Sequence, residues 1–330
     1  MSRDLIHIVE TAYCIERDAQ QWYDALCESL VGLAPGDFGV MVYGYDASRP
    51  DEGVDTVGWA AAQVTDEFVE ATLALNRDSA PQQVRQFYHA GILCGTVSEF
   101  YERPADAPPY GEHVQPHGYP DTFGLSASGP TGVGVAVNSP FREISTITKA
   151  TRQRWFRIGA HLQAAFRLRR ALTRNPVDPE AVLEPGAGVI HAEPAASSPN
   201  ARQTLREAAK RIEAARTGST RQNDDEALSL WQGLIDGRWS LVDRFDSDGR
   251  RYLVAYANPH EVSDPRALTL RERQVAGLVG AGESNKAVGY RLGLSAGAVA
   301  TLLRRALDKL GLDSRAELIW LHATLTTRNE

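Results

Sequence analysis

The sequence predicts an α+β multidomain chain: an N-terminal antiparallel sheet with helices, a small α/β connecting unit, and an all-α four-helix domain at the C-terminal end. Three observations predict it. A chain of 330 residues exceeds one small core and fits two or three compact units. Prolines and glycines gather at 174–199, which reads as a linker with short strands between longer patterned stretches. From 264 to 326 the pattern becomes purely helical, which leaves 1–173 and 200–260 as the two mixed units.

Composition is that of a folded protein, with 43% hydrophobic and 23% charged residues. No run approaches the roughly 18 consecutive apolar residues that a membrane span needs. Met1-Ser2-Arg3-Asp4 leads into a broken amphipathic pattern and not a signal-peptide core, so a cytoplasmic location is expected. Cys14, Cys27 and Cys94 are odd in number and share no C-x-x-C spacing, so they read as reduced, mostly buried thiols.

The net charge of −7 opposes contact with a polyanion until its distribution is considered. Between 265 and 322, nine basic residues (Arg266, Arg271, Arg273, Lys286, Arg291, Arg304, Arg305, Lys309, Arg315) face five acidic ones. That segment carries about +4 and leaves about −11 on the remainder. One basic module sits on an acidic body.

In the first unit, Trp22, Leu26 and Leu30 place one apolar face on a helix over 19–31, ahead of two strand-like runs at 38–45 and 54–61. Thr65 is placed to cap the next helix, and Pro81 to open a further one over 81–90. Strands at 121–128 and 132–138 flank the turn Gly129-Pro130-Thr131. A long helix over 144–172, with Trp155, Ile158, Leu162, Ala165 and Phe166 at helical spacing, either packs on the sheet or pairs with another copy. In the second unit, helices at 200–216 and 224–235, the latter ended by Gly237, precede strands at 239–245 and 251–257 around Asp248-Gly249.

The last unit is the most informative. Thr269 and Glu272 form a capping box, Val275, Leu278 and Val279 make a buried stripe, and Gly282 ends the helix. Ser284 caps a short helix with Val288 and Leu292 inward, and Gly293-Leu294-Ser295 is a tight turn into a third. There Val299, Leu302, Leu303, Ala306, Leu307 and Leu310 line one face, while Gly297, Ala300, Thr301, Arg304 and Asp308 line the other. Two short helices joined by such a turn suit a major groove about 12 Å wide. A fourth helix over 314–324, with Leu318, Leu321 and Leu325, covers the back.

These residues closely resemble the LuxR/response-regulator effector family. The resemblance is carried by Leu268-Thr269-Leu270-Arg271-Glu272, Gly282-Glu283-Ser284-Asn285-Lys286, Leu292-Gly293-Leu294-Ser295, Val299, Leu303 and 309–315, which reads Lys-Leu-Gly-Leu-Asp-Ser-Arg. It implies a one-component DNA-binding transcription regulator with double-stranded DNA as partner and RNA polymerase as a further candidate partner, and because so few charges face the DNA a homodimer on a two-part site is expected. By the same resemblance the DNA-facing residues are Asn285, Lys286, Ser295, Thr301, Arg304, Arg305 and Lys309. Where family members carry Thr-Val-Lys-x-His, this chain has Ala298-Val299-Ala300-Thr301-Leu302, so the usual lysine is absent. A protein-interaction adaptor with a degenerate helix-turn-helix is therefore the alternative.

No acidic pair, phosphorylatable aspartate and later lysine mark a receiver near the N-terminus. In element order, 1–173 resembles GAF- or PAS-like sensory domains, and 200–260 is similar to a small PAS-like half-sheet. The aromatic set Tyr43, Tyr45, Trp59 and Phe87 reads as core packing, with an unknown small-molecule ligand as the other reading. His113 and His117 have a metal-pair spacing, but Pro116 and Gly118 point to a polar loop without a helix. Trp239 to Val242 and the Tyr252 run read either as a docking face for the effector or as a connecting half-sheet. With no Gly-rich phosphate loop, Gly-x-Ser-x-Gly or zinc-protease helix, no enzyme activity, cofactor or metal is expected.

Overall fold

The computed structural model of the protein describes residues 4–101, 109–129, 132–174, 178–186, 188–231, 239–257 and 268–310, together with Arg315, Leu318 and Ile319. Antiparallel sheets and flanking helices precede a C-terminal group of helices, as the sequence pattern requires.

The first sheet has the order β2-β1-β5-β4-β3 from β1 (Val40–Asp46), β2 (Asp55–Ala62), β3 (Ile92–Thr96), β4 (Asp121–Ser128) and β5 (Val133–Phe141). Every pairing is antiparallel. Side chains alternate between its faces, because successive residues of a strand point opposite ways. Val40, Val42, Ile92, Cys94, Phe123, Leu125, Val135 and Val137 join one core, while Met41, Tyr43, Tyr45 and Ala136 join a second. Helices α1 (Leu5–Ala12), α2 (Ala19–Leu30) and α6 (Lys149–Arg174) cover the first face. Helices α3 (Asp66–Arg77) and α4 (Pro81–Tyr88) cover the second, and the short α5 (Val97–Phe100) follows β3 directly.

Several sequence expectations needed correction. Asp4 caps α1 by accepting from the His7 amide at 2.8 Å, so a helix forms where the pattern looked broken. β3 was not foreseen, since a five-residue apolar run carries no periodicity. The long helix starts at Lys149 and not at 144, because Asp121 accepts from the Ser145 amide at 3.0 Å and the Thr148 hydroxyl accepts from the Thr151 amide at 3.1 Å. That helix packs on the sheet through Trp155, Ile158, Leu162 and Ala165. Single helical turns do form at Tyr110–Val114 and Gln115–His117, where His113 Nε2 lies 2.9 Å from Asp78 Oδ2. Trp59 is an exposed residue and not a core one.

The second sheet has the order β7-β6-β9-β8, built from β6 (Ala181–Leu183), β7 (Val189–Ala192), β8 (Trp239–Phe245) and β9 (Arg251–Ala257). Thus β6 of the Pro/Gly-rich stretch pairs with β9 of the hairpin that turns at Gly249, and β7 pairs with β6 at the edge. Helices α7 (Pro199–Arg216), α8 (Gly218–Gln222) and α9 (Asp224–Trp231) accompany it. Gly237, expected to end the last of these, lies outside the described residues. The core of this unit is continuous with that of the first: Leu205, Trp231, Leu241 and Leu253 belong to the same cluster as Leu125 and Leu162. Arg216 and Arg221 add charge pairs across the junction, each reaching Glu10 at 3.1 Å and Arg221 also Asp4 at 2.8 Å, while Asp243 of β8 holds Arg216 from within the second unit at 2.7 Å.

Candidate nucleic-acid interface

The C-terminal helices are α10 (Leu270–Gly280), α11 (Asn285–Leu292) and α12 (Ala296–Leu310). Each start is fixed by a local hydroxyl. The Thr269 hydroxyl accepts from the Glu272 amide while the Glu272 carboxylate accepts from the Thr269 amide, which satisfies two donors that a helix end leaves open. Ser284 and Ser295 do the same for α11 and α12, accepting from Ala287 at 3.2 Å and Ala298 at 3.1 Å. Gly293 adopts φ +67° at the end of α11, and the Leu294 amide donates back to the Gly289 carbonyl at 2.8 Å. The chain thereby reverses within three residues.

Val275, Val279, Val288, Leu292, Val299, Leu303, Ala306 and Leu318 form the core of this group. α12 is held by Val299, Leu303 and Ala306, and the opposite side presents Ala300, Thr301, Arg304 and Arg305 to solvent. The Thr301 hydroxyl donates to the Gly297 carbonyl at 3.0 Å, so outward it offers an acceptor. Ser295 is exposed, but its oxygen is engaged as the cap. Lys286 is exposed in the first turn of α11. Asn285 beside it accepts from Arg315 at 3.3 Å through Oδ1, which leaves its amide hydrogens for an outside acceptor. The Lys309 side chain and most of 314–324 lie outside the described residues.

Two cations counted with the basic module face inward to the rest of the chain. Arg271 lies over the Phe156 ring, 3.0 Å from its centroid, and donates to the Leu292 carbonyl at 3.3 Å. Burial lowers its pKa to about 10. Arg291 pairs with Glu283 at 2.9 Å and sits 5.7 Å from the Phe100 ring centroid. Gln153 donates to the Gly293 carbonyl at 2.9 Å, Gln274 donates to the Ile92 carbonyl, and Arg152 stacks near Tyr290. Arg152 is itself locked by Glu99 at 2.6 Å, both side chains being almost wholly buried. The effector helices therefore rest on β3, α5 and α6. Sequence reasoning missed this contact set, because its partners lie more than a hundred residues apart and form no motif.

Elsewhere the candidate chemistry is quiet. Burial pushes the Cys27 and Cys94 thiols up to about 12, which keeps them protonated. Among the described residues no group of His, Cys, Asp and Glu could hold a metal ion, and no helix is long and apolar enough to cross a membrane.

Two short helices set at a tight turn, the second anchored on one side and bare on the other, define a helix-turn-helix effector. Residues 266–322 match the family described as bacterial regulatory proteins, luxR family, so this domain is a LuxR-type helix-turn-helix. No curated protein and no solved structure matches the chain.

Proposed function

We propose that the protein is a one-component transcription regulator that inserts α12 into the major groove of duplex DNA under the control of its N-terminal unit. The observation that carries this reading is the bare outer side of α12, with Thr301, Arg304 and Arg305 exposed on a helix whose inner side is sealed. Arg304 is suited to donate to guanine O6 and N7, and Thr301 to accept from a base amino group. Lys286, the Asn285 amide and Lys309 serve the phosphates, while Ser295 positions the helix.

The exposed cations of the described effector residues are few: Arg273, Lys286, Arg304 and Arg305. So small a set gives modest affinity per copy, which favours a homodimer on two half-sites roughly one helical turn apart. RNA polymerase is the second macromolecule that a bound regulator of this kind would meet. The five-stranded antiparallel sheet with helices on both faces supports a GAF- or PAS-like input unit, and the clamp on α10 and α11 gives that unit a handle on the effector. A signal acts by stabilising one docked arrangement over another, since equal binding to both shifts nothing.

Genome-wide footprinting followed by binding of the recovered duplexes across a salt series tests the proposal. Affinity that falls steeply with salt is expected. An adaptor that has lost the function shows no duplex affinity even at low salt, and sedimentation of a strictly one-to-one complex removes the dimer.

A further inference from the structure

The second face of the five-stranded sheet borders a partly open space that DNA binding leaves without a use. At its centre the inward positions of the strands are Gly95, Gly124, Ser126 and Ala136, which are too small to reach the helices above. Phe68, Thr72 and Leu75 of α3 and Phe87 and Tyr88 of α4 roof it, with Phe100 at one side. A cavity of about 140 Å3 remains. Protein interiors pack as densely as organic crystals, so a partly open hollow of this size between a sheet and its covering helices is a feature of these small residues and not ordinary core packing. It matches the roughly 150 Å3 engineered apolar cavity that binds benzene.

Its walls specify a guest. Among the described residues none of the lining side chains is charged, so an ionised ligand would lose its hydration without a partner. The rings meet edge to face, Phe87 and Phe100 at 5.3 Å and 84°, the arrangement that also receives an aromatic guest. The lining hydroxyls are mostly engaged: Tyr88 donates to Asn76 at 2.7 Å, Tyr110 to the Tyr119 carbonyl at 3.0 Å, and Ser126 shares a bond of 2.7 Å with Tyr45. Thr72 differs. It is 1% exposed, and its hydroxyl has no hydrogen-bond partner among the described residues. A helical threonine ordinarily satisfies that group on the preceding turn.

We propose that this cavity is a binding site for a neutral single-ring aromatic molecule bearing one hydroxyl or carbonyl group, which the Thr72 hydroxyl receives. Of the four aromatics singled out in the sequence, Tyr43 and Phe87 line the site. The site also borders the effector clamp. Phe100 both lines the cavity and lies 5.7 Å from the Arg291 guanidinium, and β3 supplies Leu93 and Gly95 to the cavity but the Ile92 carbonyl to Gln274. The signalling role rests on the regulator reading; the binding does not.

Isothermal titration of the full chain with p-cresol, benzyl alcohol and benzoate tests the site without DNA. Saturable one-to-one binding of the neutral probes is expected, with benzoate at least about tenfold weaker and Thr72→Val weakening p-cresol roughly tenfold. Gly124→Leu fills the space, since a β-carbon there meets nothing nearer than Asn138 at 3.8 Å and the rest of the side chain extends into the cavity, and should abolish binding. Ala136→Leu is the second filling variant should the first fail to fold by circular dichroism. No saturable binding of either neutral probe, benzoate binding as tightly, or full affinity in a folded filled variant overturns the proposal. DNA affinity of the same preparation, measured separately, shows whether the regulator reading stands alone.

Discussion

Arg304 and Lys286 are both exposed cations, yet their removal should register differently. Arg304 projects from the middle of α12, where a bidentate base contact contributes roughly 1–3 kcal/mol of discrimination. Arg304→Ala should therefore flatten the preference among duplexes. Lys286→Ala should weaken all duplexes alike and lower the salt slope by about one, as fluorescence anisotropy would record. Gly289 makes a different point. A β-carbon there would stand 2.8 Å from the Leu294 carbonyl, so Gly289→Ala must spread the turn at a cost of about 1–3 kcal/mol, visible as a lower thermal midpoint of the effector domain. The caps at Thr269 and Ser284 were legible in the sequence because each bond closes within three residues, whereas Ser295, expected to face DNA, caps α12. Arg271 was not: its charge counts toward a basic surface, but its position over Phe156 depends on tertiary packing that no spacing encodes.

Helices and strands with strong periodicity were equally legible, and weakly patterned ones were not. β4 and β9 fall where alternation places them, whereas β3 escaped notice although it bridges the cavity and the effector. Its neighbour α5 carries Glu99, whose ion pair with Arg152 is nearly sealed from water. Removing one partner of such a pair strands a buried charge, so Glu99→Ala should cost about 3–5 kcal/mol in chemical denaturation. Replacing Gln153 by Ala cuts the bond to Gly293 and leaves the effector fold itself untouched. Amide exchange in α11 should then rise while that of β4 stays constant. Equal protection in variant and parent would mean that the clamp contributes nothing to holding the helices.

The two sheets and α6 share one continuous core, and the second sheet itself pairs β6 with β9 across about seventy residues; no local spacing in the sequence encodes either. At the seam His161 is fully buried between Tyr13 and Trp231, at 6.1 and 6.2 Å, and desolvation lowers its pKa from 6.5 to about 3. The unfolded chain takes up that proton below 6.5 and the folded chain does not until about 3, so this contribution is complete above 6.5 and is lost as pH falls toward 3. The slope is about 1.4 kcal/mol per pH unit. His161→Phe should remove it, and parallel stability profiles of parent and variant from pH 7.5 to 5 would refute the assignment. The central claim is that α12 is the surface that meets DNA. A salt-series titration of recovered duplexes with the full chain and with Thr301→Ala/Arg304→Ala tests it most directly. Tight, salt-sensitive binding by the parent and loss of sequence preference in the folded double variant are predicted; identical affinity and preference in both, or no binding by the parent at low salt, would contradict it.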